Sequence, residues 1–129
     1  YASMICDGCY IGADSRIESS VLSPGVVVRP GAIVRESILL TDCVVESGCV
    51  IERAVLDKRV SIGANCRIGG GIATPDYGIA IVGKNSTVPD GCVIDPNGGV
   101  GTDVALSDFD EKHIQAGQFI QTRRLPNEL

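Results

Sequence analysis

An aliphatic side chain recurs along this chain at steps of six, six and five residues. The positions are Ile5, Ile11, Ile17, Leu22, Val28, Val34, Leu39, Val45, Ile51, Leu56, Ile62 and Ile68, and all twelve are Ile, Leu or Val. Those three types make up 36 of 129 residues, so twelve chance successes come to roughly one in several million, a margin that survives the choice of phase. The resulting unit of 17 is visible when Ile17-Glu18-Ser19-Ser20-Val21-Leu22 is set beside Val34-Arg35-Glu36-Ser37-Ile38-Leu39 and Ile51-Glu52-Arg53-Ala54-Val55-Leu56. A second register, stepped by six, runs through Val82, Val88, Ile94, Val100 and Leu106. Between the registers, residues 69–81 carry no repeat and contain Gly69-Gly70-Gly71 and Thr74-Pro75-Asp76, the composition of a loop projecting from one coil. The chain divides accordingly into coils over 1–68, an inserted loop over 69–81, further coils over 82–106 and a C-terminal tail over 107–129.

Two more signals accompany each repeat. Three residues after the marker stands a turn former: Gly8, Asp14, Gly25, Gly31, Asp42, Gly48, Asn65, Asn85, Gly91, Asn97 and Asp103. These are the residue types that tolerate positive φ. Ser20, Ser37 and Ala54 break the rule inside the five-residue segments, where the corner must be built differently. Four residues after the marker stands a small or medium group, including Cys9, Ser15, Val21, Ile38, Cys43, Cys49, Val55, Cys66, Ser86 and Cys92. A corner every six residues between short inward-facing stretches describes a triangular coil. Coils stacked at the parallel-strand spacing of about 4.8 Å then bury the marker column as one core. Such a core admits only slender side chains, in keeping with two Phe, three Tyr and no Trp. Outside, Glu18, Arg35 and Glu52 share one slot on successive coils, and Arg29 lies one coil from Glu46. Stacked opposite charges of this kind contribute about 0.2–1 kcal/mol each and are structural.

Several chemistries are disfavoured. The β-branched content is too high for a disordered chain, and no apolar run is long enough to span a membrane. A net charge of −5, with three Lys and eight Arg, argues against nucleic acid. Of six cysteines, all but Cys6 fall in the small inward slot, where a thiol packs as a compact hydrophobe. Reduced thiols point to a cytoplasmic protein. Cys6-Asp7-Gly8-Cys9 is half of a zinc or redox motif without a second half, and Cys49 and Cys66 stack in one column. The single histidine, His113, falls in the expected tail, so neither a three-histidine metal site nor a coil-borne general base is expected. The opening residue Tyr1 and the exposed apolar end expected near Ile5 suggest a preceding domain that caps the first coil.

The period is that of the hexapeptide repeat and resembles the single-stranded left-handed parallel β-helix; the hand is implied by the resemblance, since the general rule for parallel crossovers is right-handed. Locally, residues 53–63, with Leu56-Asp57-Lys58 inside them, and residues 78–91, with Ile81-Val82-Gly83-Lys84-Asn85, resemble the C-terminal region of glucose-1-phosphate adenylyltransferases, the ADP-glucose pyrophosphorylases. Ser20-Val21-Leu22-Ser23-Pro24-Gly25-Val26 and Glu36-Ser37-Ile38-Leu39-Leu40 are similar to that family as well. The likeness reaches to about Val93 and is poor in the tail from Ser107 onward.

The resemblance implies a larger enzyme. An N-terminal nucleotidyltransferase domain would use magnesium to join ATP and glucose 1-phosphate into ADP-glucose and pyrophosphate, for glycogen or starch synthesis. The β-helix would take part in tetramer assembly and in an allosteric effector site, with no cofactor of its own. On that basis Lys58 and Lys84 correspond to lysines that contact anionic, phosphorylated effectors, and Arg123 and Arg124 are further candidate anion contacts. Two alternatives stand beside this reading: a hexapeptide acyltransferase fragment and a non-catalytic structural solenoid.

Overall fold

The computed structural model describes residues 3–70 and 78–128. Strands of two or three residues alternate with tight turns, and every strand pairs in parallel with its counterpart on an adjacent coil. Three sheets result, one per face of the prism, in an all-β left-handed parallel β-helix of about six turns. The first face stacks Met4–Ile5, Val21–Leu22, Ile38–Leu39, Ala54–Leu56, Ala80–Val82, Gly99–Val100 and Phe119–Ile120. The second stacks Tyr10–Ile11, Val27–Val28, Val44–Val45, Ser61–Ile62 and Thr87–Val88. The third stacks Arg16–Glu18, Ile33–Arg35, Val50–Glu52, Arg67–Gly69, Val93–Ile94 and His113–Ile114.

The core is the marker column. Leu22, Val28, Val34, Leu39, Val45, Ile51, Leu56, Ile62 and Ile68 are fully buried. Ile5, in the first described coil, keeps 48% of its surface exposed. Among the described residues, no helix is long and apolar enough to cross a membrane.

All eleven predicted turn formers have positive φ, from 57° at Asp103 to 80° at Gly31. In the five-residue segments the left-handed residue comes one position earlier, at Ser19, Glu36 and Arg53. That shift reverses side-chain parity beyond the corner. Ser20, Ser37 and Ala54 point into the core, while Val21 and Ile38, expected in the inward slot, turn to solvent. The serines are satisfied by one another: Ser37 N donates to Ser20 Oγ and Ala54 N to Ser37 Oγ, both at 3.1 Å.

The inner cysteines do more than fill space. Cys43, Cys49 and Cys66 thiols donate to the carbonyls of Asp57, Gly63 and Pro89 on the next coil at 2.9–3.0 Å. Ser15 and Ser86 hydroxyls make the same bond to Arg29 and Gly101. The slot therefore accepts small donors as readily as the buried Val26, Ala32 and Val60 that share it. All six cysteines are free thiols, including the stacked pair Cys49 and Cys66. The charged columns form as expected, with Arg35 Nε at 3.3 Å and Nη1 at 3.9 Å from Glu18 and Glu52, and Arg29 at 3.7 Å from Glu46.

The insertion is measured by register. Before the insertion successive coils pair at intervals of 17, as in Val21 with Ile38, whereas Ala54 pairs with Ala80, an interval of 26 and therefore nine extra residues. Gly69 and residues 80–81, placed in the loop by sequence, belong to the flanking strands. Residues 71–77, including Thr74-Pro75-Asp76, lie outside the described residues.

Sheet pairing continues past Leu106. The sequence puts Leu106 on the marker column, but the residue lies 55% exposed in a 3-10 turn, Leu106–Asp108, that takes the place of a second-face strand. His113–Ile114 then pairs with Val93–Ile94, and Phe119–Ile120 with Gly99–Val100. The interval here is 20 residues, which is why a six-residue count loses the coil. Asp108 anchors the turn: buried, it accepts Ala105 N at 2.9 Å and Arg123 N at 3.0 Å. These backbone donors, Ala105 first, hold its carboxyl below the ordinary carboxylate range.

A lysine-bearing corner and its relatives

The corner between the first and second faces repeats as Asp7-Gly8, Pro24-Gly25, Thr41-Asp42, Lys58-Arg59, Lys84-Asn85 and Thr102-Asp103. One backbone bond joins each step. Arg59 N donates to Thr41 O at 2.9 Å, Asn85 N to Lys58 O at 3.0 Å, and Asp103 N to Lys84 O at 2.9 Å. Lys58 and Lys84 are therefore equivalent residues on adjacent coils, about 4.8 Å apart along the backbone. The nine-residue insertion separates them in sequence, and the coil brings them together. Both are exposed, and among the described residues neither ammonium takes part in an ion pair.

The next position along the corner is a polar ladder, in which the turn formers Asn85 and Asp103 are joined by Arg59, a residue the sequence did not single out. Arg59 Nε donates to Asn85 Oδ1 at 2.7 Å, and Asn85 Nδ2 to Asp103 Oδ1 at 3.1 Å. Arg59 holds φ at 57°, a strained setting for an arginine. Its place three residues after Leu56 was the available signal. Arg124 reaches the same corner from the C-terminal segment, donating through Nη2 to Asp103 O. Arg123 does not. It lies 2.6 Å from the Asp110 carboxylate and donates to Asp108 O at 3.0 Å, and the Asp110 hydrogen bond raises its pKa further. The corner thus gathers Lys58, Lys84, Arg59 and Arg124, and leaves Arg123 tying down the last coil.

The structure corrects the placement of His113. It stands on the third face, not in a tail, with Nε2 2.9 Å from Asp95 Oδ2 on the preceding coil. A coil-borne imidazole oriented by a carboxylate is therefore present. The open groove beside it, ≈ 410 Å³, is lined by Asp108, Asp110, Glu111 and Arg123 among others. Among the described residues no three His, Cys, Asp or Glu side chains converge as a metal site, so Cys6 and Cys9 have no further ligands.

A six-residue period, slender inward columns and left-handed corners define a hexapeptide-repeat β-solenoid. Residues 1–76 match the family described as GlmU-like, C-terminal hexapeptide, and the chain belongs to that family. It is 32% identical over 126 residues, 92% of its length, to the glucose-1-phosphate adenylyltransferase of Acetivibrio thermocellus, of which it spans 29%. The fold is also that of the acetyltransferase domain of PglB from Neisseria gonorrhoeae FA1090. That structure superposes with a TM-score of 0.77 over 92% of this chain and 54% of the other, at 16% identity. The same domain in complex with acetyl coenzyme A superposes equally well.

Proposed function

We propose that this chain is the regulatory and oligomerisation domain of a nucleotidyltransferase that makes ADP-glucose and pyrophosphate from ATP and glucose 1-phosphate, for glycogen or starch synthesis. The observation that carries the reading is the stacking of Lys58 and Lys84 at one corner of a chain related along 92% of its length to a glucose-1-phosphate adenylyltransferase. Two ammonium groups one coil apart offer converging positive charge to a phosphorylated metabolite, and lysine binds phosphate as a point charge. Arg59 and Arg124 add donors at the same edge. The nucleotidyl transfer and its magnesium belong, in this reading, to an N-terminal domain. That domain would cap the half-exposed Ile5, Ile11 and Ile17. The protein is expected to work in the cytoplasm, as a tetramer.

The test uses the full-length enzyme. Lys58→Ala and Lys84→Ala are each expected to raise the half-saturating concentration of a phosphorylated activator about tenfold, the loss of one charge-assisted contact, while unactivated kcat stays unchanged. Activation that is unchanged in both variants overturns the reading.

His113 beside Asp95 supports a second reading, acyl transfer. With Asp95 accepting from Nε2–H, Nδ1 would take the proton of an acceptor amine or hydroxyl as that group attacks a thioester carbonyl, and would return it to the thiolate released when the C–S bond breaks. Asp108, Asp110 and Glu111 along the groove oppose the phosphates of coenzyme A, so the first reading stands ahead. Calorimetric binding of acetyl coenzyme A that His113→Ala leaves intact, together with acetyl transfer that this variant abolishes, would reverse the order.

A further inference from the structure

The outward row of the first face is apolar from one end of the solenoid to the other. In register it reads Met4, Val21, Ile38, Val55, Ile81, Gly99 and Phe119. Met4, Val21, Ile38, Ile81 and Phe119 expose between 38% and 63% of their surface, and Ile79 beside them exposes 53%. The one gap is closed by packing: the Phe119 ring lies across Gly99, where an added Cβ would come within 2.5 Å of it. The other faces differ. The second carries Ser61 and Thr87 in its outward row, and the third carries Arg16, Arg67 and His113. Only the first face has an outward row without a polar or charged side chain, and a solvated sheet face ordinarily alternates to polar residues.

We infer that this face is the surface on which a second copy of the chain docks, face to face about a two-fold axis through Val55. Seven rows at the strand spacing make a strip about 29 Å long, which with its flanking rows covers roughly 500–800 Å² per partner, the scale of a stable protein pair. A row without charge meets its own copy without electrostatic penalty, and the two-fold axis sets Ile38 against the partner's Ile81 and Met4 against the partner's Phe119. The inference names the surface behind the oligomerisation proposed above and rests on that part of the reading alone. The effector role of Lys58 and Lys84 is separate from it.

Sedimentation equilibrium of the 129-residue chain tests it, with Ile38→Arg and Ile81→Arg as two independent variants and Thr87→Arg on the second face as control. The unsubstituted chain and the control are expected to dimerise below roughly 100 µM. Each first-face arginine should weaken the dimer at least about tenfold while far-UV circular dichroism is unchanged. Under mild oxidation, Val55→Cys in a chain also carrying Cys6→Ser and Cys9→Ser should give a reducible cross-linked dimer that the same chain with Val55 does not. A chain that remains monomeric at 100 µM overturns self-docking. A dimer that resists both arginines overturns the face while leaving oligomerisation standing.

Discussion

At the residue scale, single polar atoms close the hydrogen bonding of whole coils. Ser37 is buried, donates its hydroxyl to Arg35 O at 2.7 Å and accepts Ala54 N at 3.1 Å. Ser37→Ala strands a buried N–H, and the expected loss is about 1–3 kcal/mol, read as a lower denaturant midpoint with unchanged slope. Asp108 is a carboxylate version of the same device. Its folded pKa lies below the ordinary value of 3.8, so its contribution is complete above that value and is lost as pH falls through the folded one. Stability of the native chain should therefore drop on acidification below about pH 4, and Asp108→Asn should be less stable at neutral pH with a flatter acid dependence. Thermal unfolding scans across pH check both.

At the scale of elements, corners and slots decide which side chains are accessible. Cys43, Cys49, Cys66 and Cys92 are buried in the inner slot, while Cys6 and Cys9 are half-buried in the first coil. Burial pushes the Cys43 thiol up to about 11 and that of Cys92 up to about 12. Cys49 is raised by the hydrogen bond it shares with Cys66 and then by burial. A thiol reagent near pH 8 should modify Cys6 and Cys9 first and the other four only as fast as the coils open. Mass spectrometry of partially modified chains reads the order. The corner ladder is an element of the same kind. Asn85→Ala removes a residue suited to φ 61° together with its bonds to Arg59 and Asp103. The expected loss is about 1–2 kcal/mol, alongside weakened anion response because Lys84 sits on the same turn.

At the scale of the molecule, the two ends of the prism are unlike. The first coil leaves Ile5, Ile11 and Ile17 partly open, whereas the last coil lays Ile114 and Ile120 over Ile94 and Val100. Truncation after Ser107 removes that coil. It should cost about 3–5 kcal/mol and leave a chain prone to association through its uncovered end. Urea unfolding and light scattering measure the two effects. A segment that packed on nothing would instead leave stability unchanged. The long first face and the lysine corner share an edge of the prism, so a docked second copy would stand beside the anion site.

What the sequence determined by itself is whatever repeats. A period of 17 dictates parallel coils, because a repeated spacing of corners sets aliphatic residues in one column and Gly, Asn or Asp at most of the left-handed corners. Tertiary structure decided what breaks the period. One residue fewer in the third segment reverses side-chain parity, turning Val21 and Ile38 outward and making an apolar face from residues that look like core. A 20-residue coil carries Ile114 back onto the core and His113 to Asp95, since a buried aspartate turn can replace a strand without any sequence period to announce it. Lys58 and Lys84 are 26 residues apart in the chain and one hydrogen-bonded step apart in space. A sequence read linearly does not measure stacking across an insertion; the pairing register does.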